Sequence, residues 1–264
     1  MKGTTPQQPF YKYHGTGNDF VIIDDRAKTF PTDNGDLIAG ICSRRFGVGA
    51  DGLMLLQRAD AYDFRMVYFN ADGSESTMCG NGGRCLVSFA HKIGVVERAC
   101  SFVAIDGPHF ATIDDNGTVS LGMQPVTKIE NVNGDYVLDT GSPHYVKFVD
   151  DVNEVDVNAA GAAIRYGEPY SEDGINVNFV SVLADGLVVA TYERGVEAET
   201  YSCGTGVVAS VLSASGQLKS PVRVMTKGGQ LSVSYDNKRG AYDDICLIGP
   251  ATFVYSGTID LDRD

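Results

Sequence analysis

The chain carries the same motif twice. The stretch from Tyr68 to Gly82 resembles that from Tyr192 to Gly206 at an offset of 124, which sets Glu75 on Glu199, Cys79 on Cys203, Gly80 on Gly204 and Gly82 on Gly206. The same offset places Gly17-Asn18 on Gly141-Ser142, and Tyr68 on Tyr192. An internal repeat on this scale means two similar folding units rather than one. In each half an apolar segment, Leu86–Ile93 or Val207–Ala214, follows the cysteine and ends at Gly94 or Gly216. Alternating runs come next: Ser101–Ile105, Phe110–Ile113 and Thr118–Met123, then Val222–Met225, Gln230–Tyr235 and Ile245–Ile248. Alternation broken by Gly, Asn and Asp predicts antiparallel strands and turns.

The expected fold class is therefore α+β, with two pseudo-symmetric domains, each a curled, mostly antiparallel sheet around one central helix. The boundary is placed at Pro125 and the polar stretch Glu130–Gly134. This gives a first domain over 1–125, a second over 126–249, and a tail near 250–264 expected to pack back on the first.

Composition limits what such a protein does. Of 264 residues, 43% are hydrophobic and 21% charged, which excludes a disordered chain. Twenty-one basic against thirty-four acidic residues leave a net charge of −13, repelling nucleic acid and anionic membrane surfaces. No apolar run reaches the roughly 18 residues of a membrane span, and Met1–Pro9 lacks the apolar stretch of a secretory leader. A cytoplasmic location is the expectation. The six cysteines form no Cys-x-x-Cys pair and the four histidines are dispersed, so no metal site is expected.

Cys79-Gly80-Asn81-Gly82 and Cys203-Gly204-Thr205-Gly206 each put a thiol before Gly-x-Gly at the opening of an apolar helix. Unpartnered N–H groups and the dipole at such an end favour an anion and a thiolate. Glycine lets a ligand approach the backbone closely. One copy reads most simply as packing; two equivalent copies point to a pair of thiols, one removing a proton from a tetrahedral carbon and the other returning one. Helix N–H groups would stabilise the carbanion's charge. This chemistry calls for no cofactor.

With those motifs, His14–Phe20, Asn70–Glu75, Met78–Cys85, Gly141–His144, Glu193–Gly195 and Cys203–Gly206 resemble the diaminopimelate epimerase family, in the family's order and over nearly the whole chain. The resemblance implies a cofactor-independent epimerase interconverting LL- and meso-2,6-diaminopimelate for lysine and peptidoglycan synthesis, working as a homodimer. It assigns Cys79 and Cys203 as the acid/base pair, with His144 and Glu193 beside the thiols. It also implies substrate contacts from Asn18, Asn70, Gly80, Asn81, Ser142, Asn176, Glu193, Arg194, Gly204 and Thr205, and a dimer contact from Tyr255. Many members have Asn where Ser142 stands, and some have a substrate-contacting Gln where this chain has Gly52. Ser171–Ile175 replaces the family's usual approach to Asn176. Cys42, Cys85, Cys100 and Cys246 are expected to be packing residues. Two other readings stand beside this one: a proline or hydroxyproline racemase-like enzyme, and a non-catalytic thiol redox or anion-binding protein.

Overall fold

The computed structural model describes residues 7–238 and 240–261. Residues 1–6, part of the start read for a leader, lie outside them. The chain divides into two compact units, one running to Val119 and resuming at Pro250, the other spanning Ser120–Gly249.

In the first unit Gln7–Gly15 pairs antiparallel with both Asn18–Asp24 and the returning strand Thr252–Asp260. Asn18–Asp24 runs parallel to Gly52–Gln57, which pairs antiparallel with Phe64–Asn70. Phe64–Asn70 is parallel to Ala99–Ala104, and that strand is antiparallel to Gly107–Ile113. The sheet is thus mostly antiparallel, as expected, with two parallel pairings that make it mixed. The cause is two helical crossovers, α1 (Gly35–Cys42) and α2 (Gly80–Lys92), each joining strands that must then run the same way.

The second unit repeats this plan. Pro143–Phe148 is parallel to Asn176–Leu183, which is antiparallel to Gly186–Glu193, itself parallel to Val222–Thr226. The crossovers are α3 (Val157–Arg165) and α4 (Gly204–Ser213). Sequence reasoning expected one helix per unit. The short α1 and α3 were hidden in polar, glycine-bearing surroundings, although each has a helix-start signal: Asn34 Oδ1 accepts from Leu37 N at 3.0 Å, and Asp156 Oδ1 from Ala159 N at 3.0 Å.

Strand alternation divides each sheet between its two helices. Val21 and Ile23 join the core around α1, while buried Phe20 and Ile22 lie on the other face. Val177 and Phe179 join the cluster beneath α3. Val180 joins the cluster of Val146, Val189, Val224 and Leu247 around Val207, Val208, Val211 and Leu212 of α4. At about 1.5–3 kcal/mol per buried aliphatic side chain, this core fixes where the start of α4 sits over the sheet.

The repeat is visible in the pairing register. Phe20 faces Gly52 across one parallel pair, and His144 faces Asn176 across the other, each displaced by 124. In the next pair Leu53 faces Phe69, whereas Val177 faces Tyr192. The equivalent of Tyr192 is therefore Phe69, not Tyr68, and Glu193 stands where Asn70 does. The second unit has one more residue in the following turn, so the offset returns to 124 at Glu75 and Glu199. An ungapped comparison of the two sequences could not place that residue.

Candidate active site

Cys79 is the N-cap residue of α2, in extended conformation at φ −102°, ψ 129°, and its side chain does not cap the helix. Its Sγ lies 3.6 Å from Asn18 Oδ1. The orientation of that amide is decided by its other end, because Asn18 Nδ2 donates to Asp51 Oδ2 at 2.7 Å and a carboxylate only accepts. Asp51 in turn accepts from Arg44 Nη2 at 2.6 Å. Arg44 also reaches Asp19, which accepts from Lys12 at 2.6 Å. Burial would raise the Asp19 carboxyl, but the hydrogen bonds from Arg44 and Lys12 outweigh it and hold the group well below the usual range.

Asn81 is oriented from its far side as well. Arg84 Nη2 donates to Asn81 Oδ1 at 2.9 Å, leaving Asn81 Nδ2 to donate to Asn18 Oδ1 at 3.3 Å. The Arg84 guanidinium is fully buried and also donates to Gly80 O, Thr16 Oγ1 and Pro250 O, all neutral acceptors. Asn70 is engaged in its own turn: its N–H donates to Ser74 O at 2.9 Å and its amide to Ser74 Oγ at 3.4 Å. A Cβ on Gly52, opposite Asn70, would lie 2.5 Å from Phe69 O and 2.5 Å from Tyr68 Cε2. The Tyr68 ring thus occupies the space that a side chain at position 52 would need.

In the second unit Cys203 is the N-cap residue of α4, at φ −106°, ψ 112°. Its Sγ lies 3.4 Å from Thr205 Oγ1, which is 2.9 Å from His144 Nε2 and 3.4 Å from Ser142 Oγ. Asn176 Nδ2 donates to Ser142 Oγ at 3.0 Å, and its Oδ1 accepts from the Arg194 N–H at 2.9 Å. The exposed Arg194 side chain donates to Asp173 O at 3.0 Å, so the segment that departs from the family pattern anchors this guanidinium. Glu193 accepts from Thr200 Oγ1 at 2.9 Å. Burial, reinforced by the positive charge of Arg194, pushes His144 down to about 3, so its imidazole is neutral.

The first unit therefore gathers Cys79, Asn18 and Asn81 at the start of α2. The second gathers Cys203, Thr205, Ser142, His144, Asn176 and Arg194 around the start of α4. Asp51, Arg84 and Asn178, a buried residue whose Nδ2 lies 3.0 Å from His144 Nδ1, escaped sequence reasoning. Arg84 lies three residues after Asn81 on one helix face, and Asn178 lies two after Asn176 on one strand face; those spacings were the available signals. Burial drives the thiols of Cys42 and Cys85 up to about 12 and that of Cys100 to about 11, so these three are inert packing groups at neutral pH. Cys246 is half-buried. Among the described residues no His, Cys, Asp or Glu cluster is arranged to hold a metal ion.

The diaminopimelate epimerase family model matches residues 10–129 and 136–254. The chain belongs to this family. It is 48% identical to the diaminopimelate epimerase of Flavobacterium psychrophilum, over 94% of this chain and 99% of that one. To the diaminopimelate epimerase of Chlorobaculum tepidum it is 42% identical, over 94% and 99%. Family membership makes the chain an isomerase. Among solved structures, a Bacillus anthracis phenazine biosynthesis protein of the PhzF family superimposes with a TM-score of 0.72 at 12% identity, covering 96% of this chain and 99% of that one. A hydroxyproline epimerase from Agrobacterium vitis, with bound trans-4-hydroxy-L-proline, gives 0.68 at 15% identity, over 100% and 95%. These two likenesses show the shared fold and leave the racemase alternative without support of its own.

Proposed function

We propose that the chain interconverts LL- and meso-2,6-diaminopimelate in lysine and peptidoglycan precursor synthesis, with Cys79 and Cys203 as the acid/base pair. One thiolate takes the α-proton and the other thiol returns a proton to the opposite face, inverting the centre. The observation that carries this reading is that each unit places a cysteine at the N-cap of a glycine-opened helix, where it does not cap the helix itself. The developing carbanion is stabilised through its carboxylate by N–H groups of Gly80 and Asn81, and of Gly204 and Thr205. Asn18, Asn70, Ser142, Asn176, Glu193 and Arg194 hold the ammonium and carboxylate ends of the substrate. Acid–base work by two thiols needs no imine-forming lysine, so the reaction proceeds without pyridoxal phosphate.

The enzyme works in the cytoplasm as a homodimer. Phe253, Val254 and Tyr255 support the dimer contact, since they lie 39–50% exposed in sequence on the strand Thr252–Asp260. Sedimentation of wild type and Tyr255→Ala at micromolar concentration tests it: a monomeric wild type excludes the dimer. The reaction itself is tested by incubating the protein with LL-diaminopimelate and, separately, L-proline in D₂O. Deuterium at the diaminopimelate α-carbon is the expected result; exchange confined to proline overturns the assignment.

A further inference from the structure

The polar pair His144 and Asn178 beneath α4 gives way to apolar residues at the equivalent positions beneath α2. The offset of 124 sets His144 on Phe20 and Asn178 on Met54, so two apolar side chains in one unit are replaced by a hydrogen-bonded pair in the other. The second glycine of each cysteine motif looks onto this pair. A Cβ on Gly82 would lie 1.9 Å from Met54 Cε, and one on Gly206 2.3 Å from Asn178 Oδ1 and 3.3 Å from His144 Cε1.

Both side chains are completely buried, and their hydrogen-bond directions follow from groups with no choice. Asn178 Nδ2 lies 3.0 Å from the backbone oxygen of Tyr145, which only accepts. Asn178 Oδ1 accepts from Thr191 Oγ1 at 2.9 Å. The second Nδ2 hydrogen therefore points at His144 Nδ1, 3.0 Å away, and that nitrogen must be the bare one. In a neutral ring the proton then sits on Nε2, which lies 2.9 Å from Thr205 Oγ1 and 3.1 Å from Ser142 Oγ. With a Thr205 lone pair occupied, its hydroxyl hydrogen is free to turn to Cys203 Sγ at 3.4 Å.

We propose that Asn178 is a positioning residue that locks His144 in the Nε2–H tautomer, so that Thr205 presents a hydroxyl donor to Cys203. This rests on the reading of Cys203 as an acid/base thiol and deepens it. A donor facing the sulfur favours thiolate, whereas Cys79 faces the fixed carbonyl acceptor of Asn18, which favours thiol. The charge acting on the ring is that of Arg194, and the cation beside Cys79 is the buried Arg84. His144 acts here as a neutral relay; it takes no proton.

Long-range ¹H–¹⁵N correlation spectra of the full chain, labelled with ¹⁵N-histidine and assigned with His144→Gln, read the tautomer without reference to turnover. The expected result is a protonated Nε2 and a bare Nδ1; a protonated Nδ1 overturns the proposal. In Asn178→Asp the carboxylate only accepts, so the proton should move to Nδ1. Alkylation of Cys203 by iodoacetamide and kcat should then fall on the order of tenfold, with KM and Cys79 alkylation little changed. Asn178→Met, which copies the first unit, gives a second arm in which both tautomers should appear. If that variant retains pure Nε2–H and wild-type Cys203 reactivity, Asn178 does not set the state. Wild type with the Nε2–H ring but no α-hydrogen exchange in diaminopimelate would instead sink the epimerase reading and leave the relay standing.

Discussion

Asn18 presents its carbonyl oxygen to Cys79, 3.6 Å from the sulfur, because its amide nitrogen is held 2.7 Å from Asp51. Cys203 meets a hydroxyl instead, that of Thr205. Two cysteines that look equivalent in sequence therefore stand in unlike hydrogen-bond surroundings, and the experiments below separate their roles.

If the two thiols form the acid/base pair, Cys79→Ser and Cys203→Ser should each lower kcat by about 10²–10⁴. Circular dichroism and the thermal midpoint should stay near wild type. Turnover at the wild-type rate by either variant excludes the pair.

Asp51→Asn loosens the Asn18 amide, since an amide at 51 can meet Asn18 nitrogen or oxygen alike and only the longer bond from Asn81 Nδ2, at 3.3 Å, then holds its orientation. Loss of one oriented hydrogen bond is worth about 1 kcal/mol, so kcat/KM should fall on the order of fivefold to tenfold. Asp51→Glu should recover part of that. Steady-state kinetics on both variants, with equal values for Asn and Glu, would show that the carboxylate plays no orienting part.

His144 gives a pH signature. Its folded value is about 3 against an ordinary 6.5, so between those limits the unfolded chain binds more protons than the folded one. Stability must then rise with pH across that window, and fall as the solution is acidified through it. Urea midpoints from pH 7 to pH 4 should drop more steeply for wild type than for His144→Gln. Parallel curves would mean that the buried ring keeps its ordinary affinity for protons.

Glycine-to-alanine changes at the two helix starts should differ. At Gly82 the new methyl meets the far end of the flexible Met54, which can swing aside. At Gly206 it meets the Asn178 amide, held by Thr191, Tyr145 and His144. Gly206→Ala should cost about 1–3 kcal/mol and slow Cys203 alkylation, while Gly82→Ala costs less. Chemical denaturation measures the first effect and iodoacetamide labelling the second; equal costs would show that the second layer yields as easily as the first.

The amino-acid sequence by itself determined the duplication, the α+β class, and the two thiols at glycine-opened helix starts. It could do so because these depend on local periodicity and on residue types a few positions apart. Asn81 and Thr205 stand inside those motifs, whereas Asn18 and Asn176, far from them in sequence, were marked only by the resemblance to the family. Only the tertiary structure decided which atom meets each sulfur. Asp51 turns Asn18 from the residue just before the adjacent parallel strand, and Arg84 turns Asn81 from inside the same helix. Asn178 acts on His144 across two parallel strands whose register no local pattern encodes. The extra residue before Ala198, which puts Glu193 rather than Arg194 in the place of Asn70, emerged for the same reason. Hydrogen-bond direction is set by the neighbour a buried group is pressed against. That neighbour is chosen by the packing of the whole unit.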